Sequence, residues 1–122
     1  GDPQQWLGNV YELLKATYDI TRMQLGGLEV LQALRAVAPL QEVRLESHRL
    51  VANQFAMTMG QLLSRPVDKS FRTQARLSID SGYAIVEMAL EDQSLPTEII
   101  LREGARMIEM YWQSVLTSDQ VL

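Results

Sequence analysis

The sequence contains no cysteine, a single histidine and few aromatic residues, and each shortage excludes a class of chemistry. Without cysteine the chain has no thiol nucleophile, no cysteine-ligated zinc and no disulfide. One histidine cannot build a multi-histidine metal site. A cysteine-free chain fits the cytoplasm and equally a bacterial periplasm, so the composition leaves the compartment open.

The chain also lacks an excess of positive charge and a long hydrophobic run. Its formal net charge is −4, whereas binding to nucleic acid needs clustered positive charge, so we expect no nucleic-acid partner. No run approaches the roughly 18 apolar residues of a membrane span, and we expect no membrane insertion within this segment and no signal peptide. The chain begins with Gly1 rather than Met, which fits a piece of a longer protein.

Apolar residues nevertheless make up 47% of the 122 residues, and charged residues make up 21%. This is the balance of an ordinary globular protein of one domain, long enough to bury a core without disulfides or metals. No internal repeat and no low-complexity segment divides it. The sequence therefore predicts a single domain over residues 1–122.

Proline-containing breaks at Ala38-Pro39, Arg65-Pro66 and Leu95-Pro96 separate segments with helical periodicity. Each segment carries an apolar stripe, and none has the alternation of a strand. The predicted helices run from Asp2-Pro3 and Trp6 to about Ala38, from Gln41 to about Ser64, from a cap at Asp68 or Ser70, and from Ser94-Leu95-Pro96 onward.

Gly26-Gly27 interrupts the first of these helices, at a cost of about 1 kcal/mol per glycine relative to alanine. The stripe stays nearly in phase across the pair, which favours one bent helix over two separate helices. Four helices of similar length with short connections predict an all-α, up-down antiparallel four-helix bundle.

Motifs of catalysis are missing from the chain: it has no glycine-rich phosphate loop, no serine-centred elbow and no Glu-x-x-His pair. On the third helix, Lys69, Arg76, Asp80 and Glu87 are expected to face solvent. We therefore expect no enzyme activity, no cofactor and no metal site.

Arg44 and His48 are the candidate ligand-binding residues. They lie one turn apart on the line that carries Val51, Phe55 and Met59, so an arginine and a histidine extend an apolar stripe. One interpretation is a polar plug in which Arg44 pairs with Asp92 and His48 bonds to a carbonyl at a helix end. The other is a site for a small anion or carboxylate, held by Arg44 and His48, with these further residues in reach: Asp92, Gln93 and Thr97.

The last helix has more apolar residues than one face can bury. The face predicted to enter the core carries Ile100, Gly104, Met107, Ile108, Tyr111 and Val115. A second flank, formed by Leu101, Trp112 and Leu116, is the candidate interface, most simply with a second copy in a homodimer. The alternative is that Trp112 roofs the edge of the bundle.

The segment Arg44-Leu45-Glu46-Ser47-His48-Arg49-Leu50 resembles the short box Arg-Met-Gln-Ser-Tyr-Arg-Leu of bacterial nitrate/nitrite-sensing kinases and related chemoreceptor sensor modules. The resemblance covers about seven residues. It implies a helical sensor domain in which Arg44 binds the anion at a dimer interface. His48-Arg49 with Asn53 is also similar to the dimerisation helices of some histidine kinases, which would imply a phosphorylated histidine.

These observations predict binding rather than catalysis. The first hypothesis is a ligand-sensing domain of a bacterial signalling protein that binds a small anion or carboxylate as a homodimer. The alternative is a protein-protein interaction module, an adaptor or assembly factor that acts through the apolar flank of its last helix.

Overall fold

The computed structural model describes residues 8–24 and 26–121, with side chains up to residue 117, and the secondary structure in this part of the chain is entirely helical. This confirms the all-α class, but the described residues form five helices rather than the predicted four. The expected helix start at Asp2-Pro3 lies outside them. The helices are α1 (Val10–Met23), α2 (Gly27–Ala36), α3 (Ala38–Leu63), α4 (Lys69–Glu91) and α5 (Thr97–Val121).

The glycine pair splits the first predicted helix, so the prediction of one bent helix is wrong. α1 ends at Met23, and Gln24 is extended with ψ of 134°. Gly26 then adopts φ of +71°, a left-handed conformation that cannot continue a right-handed helix and that favours glycine. Gly27 is packed so closely on Thr21 that a Cβ there would overlap the Thr21 carbonyl oxygen. The pair therefore serves as a tight corner between two helices.

Proline and aspartate set the ends of the later helices. Val37 is extended, and Pro39 lies in the first turn of α3, where its missing N–H costs nothing, so α3 begins three residues before the predicted Gln41. α3 ends where Ser64 takes a left-handed φ of 53°. The predicted cap of the third segment is confirmed, since Asp68 accepts a hydrogen bond from the Phe71 backbone N–H at 2.9 Å.

α4 is the central helix and packs against each of the other four helices. It runs antiparallel to α3, because His48 and Asp80, halfway along both helices, lie side by side. It also runs antiparallel to α5, since Trp112 contacts Ser78 while Gly104 lies against Ile85. α1 packs on both α4 and α5, and α2 connects α1 to α3.

The centre of the core is aromatic. Trp112, Phe71 and Met59 are the largest fully buried side chains. The Trp112 indole meets the rings of Phe55 and Phe71 edge-on, with centroids 5.7 and 5.9 Å apart, and its Nε1–H donates to Ser78 Oγ at 2.7 Å. An indole is favourable in a core only when its N–H finds a partner, and Ser78 supplies one.

Both apolar flanks of α5 contribute to the core: Ile100, Gly104, Ile108 and Val115 are buried as predicted, and the flank predicted as an interface is buried too. Leu101 and Trp112 are 2% and 0% exposed, and Leu116 is half-buried against the core, so this flank packs inside the domain. Met107, expected in the core, is 69% exposed. Trp112 is enclosed by Phe55 of α3 and by Phe71 and Ser78 of α4. The predicted interface at Leu101, Trp112 and Leu116 is therefore corrected to a core position.

None of the helices in the described part of the chain is both long enough and apolar enough to cross a membrane.

Candidate functional site

His48 lies on the inner face of α3 and is 7% exposed. Its imidazole ring stacks on the ring of Tyr83 from α4, with centroids 4.4 Å apart and planes 8° from parallel. Its Nδ1 lies 3.0 Å from Oδ1 of Asp80. Because an ionised carboxylate can only accept, this contact assigns the proton to Nδ1 of the imidazole. The histidine is thus held on one ring face and at one ring nitrogen.

Asp80 joins His48 to a second basic group. The Nε of Arg76, one helical turn earlier on α4, lies 3.0 Å from each carboxylate oxygen of Asp80. The carboxylate therefore bonds to both a guanidinium and an imidazole at the seam between α3 and α4. This sharing satisfies polar groups that burial would otherwise penalise by a few kcal/mol.

Arg44 lies one turn before His48 on α3, and its Nε is buried without a hydrogen-bond partner. Buried polar atoms in proteins are nearly always paired, so an unpaired guanidinium nitrogen calls for an explanation. The cluster of Arg44, His48, Arg76, Asp80 and Tyr83, called the seam cluster below, holds two guanidinium groups and one carboxylate. It carries a net positive charge even when His48 is neutral.

The environment lowers the pKa of His48 below its ordinary value of 6.5. Burial is the largest cause, because it disfavours the charged imidazolium. Asp80 acts in the opposite direction through its charge and its hydrogen bond, whereas the charges of Arg44 and Arg76 lower the pKa further. His48 is therefore neutral at pH 7, and the positive charge of the seam cluster resides on its arginines.

The structure brings Arg44 and His48 to one helix seam, but it gives them other neighbours than the sequence predicted. Asp92 does not pair with Arg44: it accepts hydrogen bonds from the hydroxyl and the backbone N–H of Ser94 in its own loop. Those bonds lower the pKa of the Asp92 carboxyl. Gln93, in the loop after α4, donates to carbonyl oxygens at the end of that helix, those of Ala89 and Leu90.

The sequence prediction did not place Asp80 and Arg76 beside His48, because it assigned both to a solvated face. A partial signal was present. The connection spans residues 64–68, and His48 lies 16 residues before its first residue while Asp80 lies 12 residues after its last. In an antiparallel helix pair, residues equally distant from the connection lie opposite each other. This register places Asp80 within about one helical turn of the position opposite His48.

A buried carboxylate lies further along the same face of α4, whereas the side chain of Asp80 is 40% exposed. Glu87, also predicted to face solvent, is 4% exposed and pairs with Arg35 of α2. Arg35 Nη1 also lies 3.9 Å from a carboxylate oxygen of Glu91. Arg76, Asp80, Tyr83 and Glu87 thus form a polar stripe at helical spacing, along which α2 and α3 pack. The seam cluster has two guanidinium groups for one carboxylate, whereas here the positive charge of Arg35 lies directly against the negative charge of Glu87.

Within the residues described, no group of three or more His, Asp or Glu side chains is arranged to hold a metal ion. No family model matches the sequence, and the searches of curated proteins and of solved structures gave no significant match.

Proposed function

We propose that the protein is a helical ligand-sensing domain, of the kind found in bacterial signalling proteins, that binds a small anion or carboxylate at the seam cluster. The observation that carries the proposal is the buried, unpaired Nε of Arg44, one helical turn from His48, whose partner carboxylate is already shared with Arg76. An anion would pair Arg44 and neutralise the excess positive charge. Arginine is suited to this role, because its planar fork matches carboxylates and oxyanions.

The seam cluster favours binding over catalysis. His48 has the carboxylate partner that orients a general base, but in the described structure its hydrogen bond goes to Asp80 alone, and no serine, threonine or tyrosine hydroxyl bonds to the ring. A catalytic base must be within hydrogen-bond reach of the proton it takes. Phosphotransfer would also require an accessible imidazole, whereas this one is 7% exposed and stacked.

An anion at Arg44 would act on both helices of the seam. It would add negative charge near His48 and so raise the lowered pKa of the imidazole. Protonation of His48 would then strengthen its bond to Asp80, which belongs to α4, while Arg44 belongs to α3. Binding would therefore change the contact between two helices, which is the kind of small shift that signalling bundles transmit.

The test is a thermal-shift titration with the sodium salts of nitrate, sulfate, phosphate, acetate and succinate, at ionic strength matched with chloride. At a ligand concentration of ten times Kd, binding contributes about 1.4 kcal/mol, or an increase in Tm of about 5 °C for a chain of this size. Arg44→Ala should abolish the increase, and binding should strengthen as the pH falls toward the lowered pKa of His48, because a protonated imidazole adds positive charge to the site.

The matched control is Arg49→Ala, on the same helix. Arg49 is exposed and pairs with Glu42 and Glu46, so its removal should leave the increase in Tm intact. If Arg44→Ala keeps the stabilisation of the unmodified protein, or if no anion of the set stabilises either protein, the proposed site is wrong.

The second candidate function is an interaction module, and a specific observation supports it: the outward face of α5 exposes several large apolar side chains. They include Ile99, Met107 and Met110, exposed by 57, 69 and 57%. The partner surface would then lie on the flank opposite Trp112, rather than at the flank that the sequence indicated.

A further inference from the structure

The outward face of α5 carries a regular seam. Ile99, Glu103, Arg106 and Met110 follow one another at spacings of four, three and four residues, which places them on one line of the helix. Ile99 and Met110 are each 57% exposed. The side chains of Arg106 and Glu103 are 67 and 61% exposed. Apolar side chains thus stand at the two ends of this line, with two opposite charges between them.

This order is self-complementary. If a second copy of α5 is laid antiparallel on the first so that Glu103 faces Arg106 of the second copy, a two-fold axis passes between them. The second Glu103–Arg106 pair forms automatically. The same register places Ile99 against Met110 of the second copy, at both ends. In this arrangement the same residues of both copies form the interface and every contact occurs twice, as a two-fold interface requires.

Within one chain, Glu103 and Arg106 form only a weak ion pair. Arg106 Nη1 lies 3.4 Å from Glu103 Oε2, and both side chains are mostly in solvent. An exposed pair of this kind contributes little to stability, so exchanging it for pairs across an interface costs little.

The exposed area of this face of α5 is sufficient for a contact with a second copy of the chain. The four residues of the line and Met107 are each more than half exposed, whereas a standard interface takes roughly 20–30 residues from each partner. The area is that of a weak, reversible dimer.

We propose that two copies of this chain associate through the outward face of α5, antiparallel about a two-fold axis, with Glu103 of each copy paired to Arg106 of the other. The interface is on the flank opposite the buried Trp112, and it does not include the seam cluster. Loss of the dimer and loss of anion binding are therefore separate observations.

Charge reversal tests the pairing. In sedimentation equilibrium from micromolar to millimolar protein, Glu103→Arg or Arg106→Glu should weaken dimerisation by at least about tenfold, because like charges then face each other. The double exchange Glu103→Arg with Arg106→Glu should restore it. Asp19→Lys, which reverses one member of the exposed Lys15–Asp19 pair on α1, is the matched control and should change nothing.

Disulfide cross-linking tests the register. Because the chain has no native cysteine, only the introduced cysteines can form a disulfide. The double variant Ile99→Cys with Met110→Cys should form a covalent dimer on mild oxidation. Either single variant should not, because like positions are eleven residues, or about 16 Å, apart along the antiparallel pair, beyond the reach of a disulfide. The same separation prevents a disulfide within one chain.

A monomer at all concentrations overturns the proposal. So does a dimer that the charge reversals leave unchanged and that Leu50→Glu abolishes, since Leu50 lies with Val43 and Met57 on an exposed stripe of α3. Single-cysteine variants that cross-link as well as the double variant would overturn the register. Circular dichroism confirms that each variant is folded, which is expected because every altered side chain is exposed.

Discussion

The two seams of α4 differ in chemistry although they belong to one helix. Toward α5 the seam is apolar: Phe71 packs on Trp112, and Gly104 lets the backbone of α5 approach Ile85 so closely that a Cβ would have to displace it. Toward α3 the seam is polar, with His48 bonded to Asp80 and Asp80 to Arg76.

The difference separates stability from responsiveness. Apolar burial is non-directional and stabilises in proportion to area, at about 25 cal/mol per Å². Buried polar contacts recover the cost of desolvation and add little beyond it, but they change with pH and with bound charge. We therefore expect the α4–α5 seam to supply most of the free energy of unfolding, and the α3–α4 seam to respond to solution conditions.

The largest effect is expected at the apolar seam. Trp112→Ala should lower the free energy of unfolding by about 3–5 kcal/mol, because it removes a fully buried ring and leaves a cavity. Urea denaturation monitored by circular dichroism measures this. Trp112→Phe keeps much of the ring but loses the bond to Ser78, so it should cost less. A loss below about 1 kcal/mol for Trp112→Ala would show that the α4–α5 seam does not supply most of the free energy of unfolding.

A smaller loss is expected at the polar seam. Asp80→Asn should cost about 1–2 kcal/mol, because His48 and Arg76 lose their charged acceptor while the shape of the side chain is kept. The control is Asp19→Asn, which removes the charge of an exposed pair with Lys15 and should cost less than about 0.5 kcal/mol. Equal losses for the two variants, again in urea, would show that the seam cluster contributes no more than a surface pair.

The smallest effect is a pH dependence from His48. Its pKa is lowered in the folded protein, so between the ordinary value of 6.5 and that lower value the unfolded chain binds a proton that the folded chain does not. The free energy of unfolding should fall as pH decreases through this window, by at most about 1.36 kcal/mol per pH unit for one proton. His48 is the only histidine, so His48→Gln should remove this component. An unchanged slope in His48→Gln would assign it to other groups.

Periodicity predicted the helices well, because an apolar stripe depends only on the local repeat of the backbone. The cap at Asp68 followed from local chemistry in the same way. The glycine pair did not, since a continuous stripe and a corner between two helices leave the same spacing of apolar residues. What distinguishes them is the φ of Gly26 and the approach of Gly27 to Thr21, which depend on how α1 and α2 pack.

It was harder to predict which face of each helix is buried than to predict the helices themselves. A helical wheel gives the angle between Asp80 and Phe71, but it does not say how many neighbours surround α4. Because α2 and α3 pack along its polar stripe, Glu87 is buried, and Asp80, whose side chain is 40% exposed, bonds to His48 of α3. On α5 the wheel showed two apolar flanks, and only the packing of the neighbouring helices made both of them part of the core while leaving Met107 exposed.

The order of residues alone determined that this chain is helical, where prolines divide it, and that an arginine and a histidine extend the apolar stripe of α3, because these are properties of short stretches of backbone. Tertiary structure decided that His48 meets Asp80, that Trp112 is interior and that Met107 is exposed. Those outcomes depend on contacts between residues far apart in the chain, and many pairings of the same amphipathic helices satisfy the local pattern equally well.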